Sequence, residues 1–162
     1  MKTTQKIAVL ILLSIFSAVL KIQAQDMKMP ADHIMVMPSD IKWSDAPPAL
    51  PPGAKVAVIE GDPKVAGLFT MRVKIPANYT IMPHYHPADE HITVIKGSFN
   101  MGLGEKFDKK IAREMPTGGF AVMLMGTRHF AFAKEETIVQ IHGMGPWNII
   151  YVNPADDPRN KK

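Results

Sequence analysis

Every proline and every glycine of this chain lies between Pro30 and Pro158, and together they break most of that stretch into short runs. There are 14 prolines and 11 glycines among the 162 residues. Proline removes a backbone donor and clashes inside a helix, and glycine there costs about 1 kcal/mol relative to alanine. Residues 25–162 also contain only 4 leucines, against 11 methionines. What lies between the breaks alternates with a period of two. That is the pattern of short strands joined by turns.

The strands can be placed. Lys55–Glu60 reads as one, closed by Gly61-Asp62-Pro63. Leu68–Ile75 alternates, with Phe69, Met71, Val73 and Ile75 on one face. Thr80–His86 is a strand interrupted by Pro83, and His91–Lys96 and Ser98–Leu103 read as a hairpin about Gly97. Gly119–Met125, His129–Ala133, Thr137–His142 and Trp147–Val152 follow. Asp108–Met115 is compatible with a helical turn or a strand. Ser44–Ala54, with Pro47, Pro48, Pro51 and Pro52, reads as an extended arm without regular structure, and residues 153–162 as a frayed polar tail. About ten short strands predict an all-β sandwich or small barrel. The strand His129–Ala133 is apolar on both faces, which predicts cover from a second subunit or from the chain's own loops and arm.

The formal charge of +4 misleads until it is placed along the chain. Lys2, Lys6 and Lys21 flank an apolar run from Ile7 to Leu20, ahead of Ile22-Gln23-Ala24. This is the pattern of a secretory signal over residues 1–24, too short to span a membrane, which takes roughly 20 residues. Export to the periplasm or outside the cell is therefore expected, with no stable membrane anchor. The rest of the chain is nearly neutral and has no basic stripe, which excludes nucleic acid as a partner. The absence of cysteine excludes disulfides, thiolate nucleophiles and cysteine-based metal sites. Met27, Met29, Met35 and Met37 fit flexible packing better than capture of a soft metal ion.

The densest chemistry is Pro83-His84-Tyr85-His86-Pro87-Ala88-Asp89-Glu90-His91. His84 and His86, two apart on a strand, share a face. Glu90 opens the next strand and shares its face with Ile92 and Val94. Two imidazoles and a carboxylate suit a divalent first-row metal, although a lone His-x-His is more often a polar strand end. His129 opens a strand whose same-face neighbours are only Ala131 and Ala133, so it has room for a partner and, if buried, needs one.

These residues resemble the cupin superfamily. His84, His86, Glu90 and Gly97 match its first motif, His-x-His-x(3)-Glu-x(6)-Gly, and Gly118, Gly126 and His129 match most of its second. Asn78, Leu124 and Ala133 replace a glycine, a proline and an asparagine of the pattern, all at turn or scaffold positions. The resemblance covers about residues 55–152, after a Met- and Pro-rich arm over residues 25–54. It implies a double-stranded β-helix, or jelly roll, usually a homodimer. It also implies one divalent transition metal per chain (Fe, Mn, Ni, Cu or Zn) held by His84, His86, Glu90 and His129. Two coordination places would remain open.

Gln140 and His142 share a face of a late strand and, if that face is inward, are the candidates for a catalytic contact beside the metal. Tyr85 and His91 should face away from it. Arg128 is read as a surface residue. The expected function is a metal-dependent enzyme on a small molecule, a dioxygenase first and an isomerase or lyase next. The competing readings are a non-catalytic ligand- or metal-binding module and a metal-stapled structural dimer.

Overall fold

The computed structural model describes residues 33–161; the expected signal and Met27 and Met29 lie outside the described residues. Eleven strands form: β1 Ser44–Asp45, β2 Lys55–Glu60, β3 Gly67–Ile75, β4 Tyr79–Tyr85, β5 Glu90–Lys96, β6 Ser98–Leu103, β7 Arg113–Pro116, β8 Phe120–Met123, β9 His129–Ala133, β10 Thr137–Gly145 and β11 Ile150–Tyr151. They make two antiparallel sheets, β1-β2-β3-β10-β5-β8 and β11-β4-β9-β6-β7. The only helical turns among the described residues are short 3-10 turns. The all-β jelly-roll expectation holds. The core lies between the sheets, where Phe69, Met71, Val73 and Ile75 of β3 meet Ile81, Phe99, Met101 and Ala131 of the facing strands.

The hairpin expected about Gly97 does not exist. β5 pairs with β8 and β10, whereas β6 pairs with β7 and β9 in the other sheet. Gly97 is where the chain crosses between sheets. Its φ is +75°, and a Cβ there would lie 2.7 Å from the Glu136 carbonyl oxygen. Thr137, wholly buried, steadies the crossing by donating its hydroxyl to the Ser98 carbonyl at 2.8 Å. The segment Gly126-Thr127-Arg128 likewise carries the chain from β8 in one sheet to β9 in the other.

All five residues of β9 are buried. The cover comes from the chain itself. Phe107, in the connection between β6 and β7, meets Phe130 and Phe132 edge-on, with ring centroids 5.0 and 6.0 Å apart. Phe130 lies over Gly102, where a Cβ would meet its ring at 2.2 Å.

Three local expectations change. The undecided stretch 108–115 holds a turn, where Asp108 accepts from the Lys110 amide, followed by strand β7. The arm is partly regular, since Ser44 and Asp45 pair with Val56 and Lys55. Two tyrosines hold its middle: Tyr79 donates to the Pro51 carbonyl and Tyr151 to the Ala49 carbonyl. The tail is not frayed as far as Lys161. Asn153 and Asp157 cap two 3-10 turns, and Arg159 donates to the Ile149 carbonyl at 3.0 Å.

Candidate metal centre

β4 presents its two histidines through an irregularity. Tyr79 and Ile81 face the core, so strict alternation would point Pro83 inward and His84 outward. Instead Ile81 pairs with Ala131 and His84 with His129, so three steps along β4 match two along β9. The extra residue is a β-bulge, and it reverses the parity beyond it. Pro83 sits in that bulge, where a missing amide proton costs least. His84 and His86 therefore turn inward. Tyr85 turns outward, where the Arg128 guanidinium lies 5.3 Å from its ring centroid. Arg128 also pairs with Glu105 at 2.9 Å, as a surface residue.

His129 needs no bulge. It shares the inward face of β9 with Ala131, whose small side chain leaves the space the imidazoles fill. Glu90 opens β5 on the same face as Ile92 and Val94. His84, His86, Glu90 and His129 are thus all buried in one place, each no more than 4% exposed. The three histidines each offer a ring nitrogen within 4.8 Å of the others, a group that could hold a metal ion.

Backbone carbonyls fix the ring orientations. His84 Nδ1 donates to Met82 O at 2.8 Å, His86 Nδ1 to Asn148 O at 2.8 Å, and His129 Nδ1 to Thr127 O at 3.0 Å. A carbonyl can only accept, so each Nδ1 carries a proton, which leaves Nε2 as the ring nitrogen available to a metal. Burial first, then the neighbouring His129 and His86, push the His84 pKa down to about 3. Burial alone would raise the Glu90 carboxyl, but the facing His86 and His129 rings hold it below the usual carboxylate range.

The Glu90 Oε2 lies 3.5 Å from both His86 Nε2 and His129 Nε2. The ring nitrogens and the carboxylate oxygen thus converge on one buried point. His86 Nε2 is buried without a hydrogen-bond partner. A divalent cation is the species that such a converging set of acceptors accommodates, so the residues present fit a metal.

Above this cluster is a cavity of about 1000 Å³. Its walls are mostly apolar, including Met71, Val73, Ile92, Val139 and Ile141, and its rim holds Asp62, Lys64 and Asn148. Trp147 stacks on His86, with centroids 4.4 Å apart and planes 21° from parallel. Trp147 and Asn148 were not singled out in the sequence, because their contact with His86 crosses 62 residues and follows no local period.

The inward reading of Gln140 and His142 is corrected. Val139 and Ile141 of β10 line the cavity, so the pleat sends Gln140 and His142 to the outer face of the sheet. There Gln140 accepts from Arg72 Nε at 3.0 Å, and the His142 ring lies 4.9 Å from that of His91.

The model of the ChrR cupin-like domain family matches residues 31–147. No curated protein matches the chain in sequence. Several solved structures share its fold at low identity. The polyketide cyclase RemF from Streptomyces resistomycificus superposes with a TM-score of 0.61 at 17% identity, over 78% of this chain and 89% of its own. For an acetylacetone dioxygenase from Acinetobacter johnsonii the TM-score is 0.57 at 15% identity, over 80% and 83%. An RmlC-like cupin from Ralstonia eutropha has a TM-score of 0.57 at 19% identity, over 76% and 74%.

Proposed function

The chain belongs to the ChrR cupin-like domain family, and from that premise we propose that it is an exported metal-dependent enzyme acting on a small, largely apolar molecule, with oxygenation as the reaction. The observation that carries this reading is a cluster of three imidazoles and one carboxylate in a mostly apolar cavity. His84, His86 and His129 would hold the ion through Nε2, and Glu90 through a carboxylate oxygen. When bound, such an ion supplies Lewis-acid or redox activation of a molecule coordinated beside it.

The chain's own residues do the rest. The Met82, Asn148 and Thr127 carbonyls hold the Nδ1 protons, so the three Nε2 atoms stay aimed at one point. Trp147 keeps the His86 ring in its plane. The aliphatic walls exclude water and select a substrate by apolar contact. Lys64, Asp62 and Asn148 at the rim can orient a polar end. A solved polyketide cyclase and an acetylacetone dioxygenase share this fold, which supports a cyclic or diketone-like molecule as the kind to try first.

A second reading, a non-catalytic ligand-binding module, is favoured by one feature. Besides Glu90 and the histidines, the acids and bases lining the cavity are the exposed Asp45, Asp62 and Lys64. The test begins with identification of the metal in natively expressed protein. It continues with dioxygen uptake against acetylacetone, phenols and keto acids. Substrate-dependent uptake that disappears in His129→Ala supports the enzyme. Iron-loaded protein that binds these compounds without consuming dioxygen supports the binding module.

A further inference from the structure

The outer face of the six-stranded sheet carries a second histidine cluster. His91 of β5 and His142 of β10 are direct cross-strand partners. Both point away from the cavity, because the pleat that turns Glu90 inward turns His91 outward. Both are half-buried. Their ring centroids are 4.9 Å apart, with planes 34° from parallel. The three histidines of the interior centre have centroid separations of 4.2, 5.1 and 5.2 Å. The outer pair is therefore spaced as closely as the rings of the interior centre.

Its surroundings leave these rings free to ligate. Gln140, next but one to His142 on the same face, is engaged by Arg72; among the described residues no side-chain hydrogen bond engages the imidazole of His91 or of His142. Phe120 lies against His91 at 6.1 Å and shields one side. On the other side Thr70 stands in register with His142 and shares its hydroxyl with Glu60 at 3.4 Å. Neutral imidazole is a good donor for the later first-row divalent ions.

We infer that His91 and His142 form a second metal site, a two-histidine surface chelate for Zn(II), Ni(II) or Cu(II), separated from the interior centre by the thickness of the sheet. The rigid ladder between β5 and β10 holds the donors in place before the ion arrives, which reduces the ordering cost of binding. The site stands on its own residues and does not depend on the function proposed for the interior centre.

The test is Zn(II) stoichiometry on untagged, metal-stripped protein by equilibrium dialysis. The wild type is expected to hold two equivalents per chain, and His142→Gln and His91→Gln one each. His129→Ala should also keep one, and His129→Ala combined with His142→Gln should keep none. If only the outer pair binds, the single equivalent is lost in His142→Gln and kept in His129→Ala, which still supports the inference. A His142→Gln protein with the wild-type stoichiometry overturns it. Carbethoxylation of the wild type, read by mass spectrometry, tests it without any variant. Zn(II) should protect His91 and His142, and equal labelling with and without Zn(II) overturns the proposal.

Discussion

The three inward imidazoles each donate Nδ1–H to a backbone oxygen. That makes the donor set insensitive to surface charge and sensitive to the local path of the chain. His129→Ala should fold, because it leaves a small residue beside Ala131, yet elemental analysis should find one equivalent of metal fewer than in the wild type. Asn78 is a second residue whose role is conformational. It stands where the cupin pattern expects glycine, and its φ is +59°, in the left-handed region. Asparagine is among the few residues that tolerate this conformation, so the departure keeps the turn. Asn78→Gly should leave the midpoint of denaturant unfolding nearly unchanged. Asn78→Ala should destabilise by about 1 kcal/mol, the cost of a Cβ in that region without the compensating side chain.

At the scale of elements, the bulge in β4 and the tyrosine clasps on the arm matter most. The bulge converts a strand whose alternation points His84 outward into one that delivers two ligands. The clasps join β4 and β11 to the proline arm. Each is a hydrogen bond to a carbonyl that loses its donor when the hydroxyl is removed. Tyr79→Phe and Tyr151→Phe should each lower stability by about 1 kcal/mol. They should also raise amide exchange in residues 46–54.

The same hydroxyls give a pH dependence. Burial, then Asp157, pushes the Tyr151 pKa up to about 12, from an ordinary value of 10.0. Burial, then Tyr151, raises Tyr79 as well. The folded state thus holds these protons more tightly than the unfolded chain does. Its stability advantage is whole below pH 10 and is lost as pH rises through about 12. Alkaline titration should show phenolate absorbance from these two tyrosines appearing together with loss of the arm. In Tyr151→Phe the high-pH loss of stability should be smaller.

Over the whole molecule, a metal at the interior centre would couple the two sheets. His84, His86 and His129 come from β4, its end and β9 in one sheet, and Glu90 from β5 in the other. An ion bound to all four stabilises the folded state by mass action, by about 4 kcal/mol when its free concentration is about 1,000 times its Kd. Chelation should therefore lower the thermal midpoint. Calorimetry before and after metal removal checks this. His129→Ala should show a smaller difference.

Much of this was legible along the chain. Strands β2, β6 and β9 occupy the stretches their alternation predicted, because a two-residue period is local information. The ligand types followed from the absence of thiols and from the spacing of His84, His86 and Glu90. The partners of each strand were not legible. β5 and β6, adjacent across Gly97, part into different sheets because the glycine passes beneath the Glu136 carbonyl, a contact made between residues far apart in sequence. For the same reason the face of β10 could not be read. Val139 and Ile141 on one side and Gln140 and His142 on the other alternate equally well in either orientation. Only the packing of β10 between β3 and β5 decided which pair lines the cavity. By itself the sequence determined which side chains are available and where the chain can be extended. The tertiary structure decided which of them meet, because sheet order and parity past a bulge depend on contacts that no local period encodes.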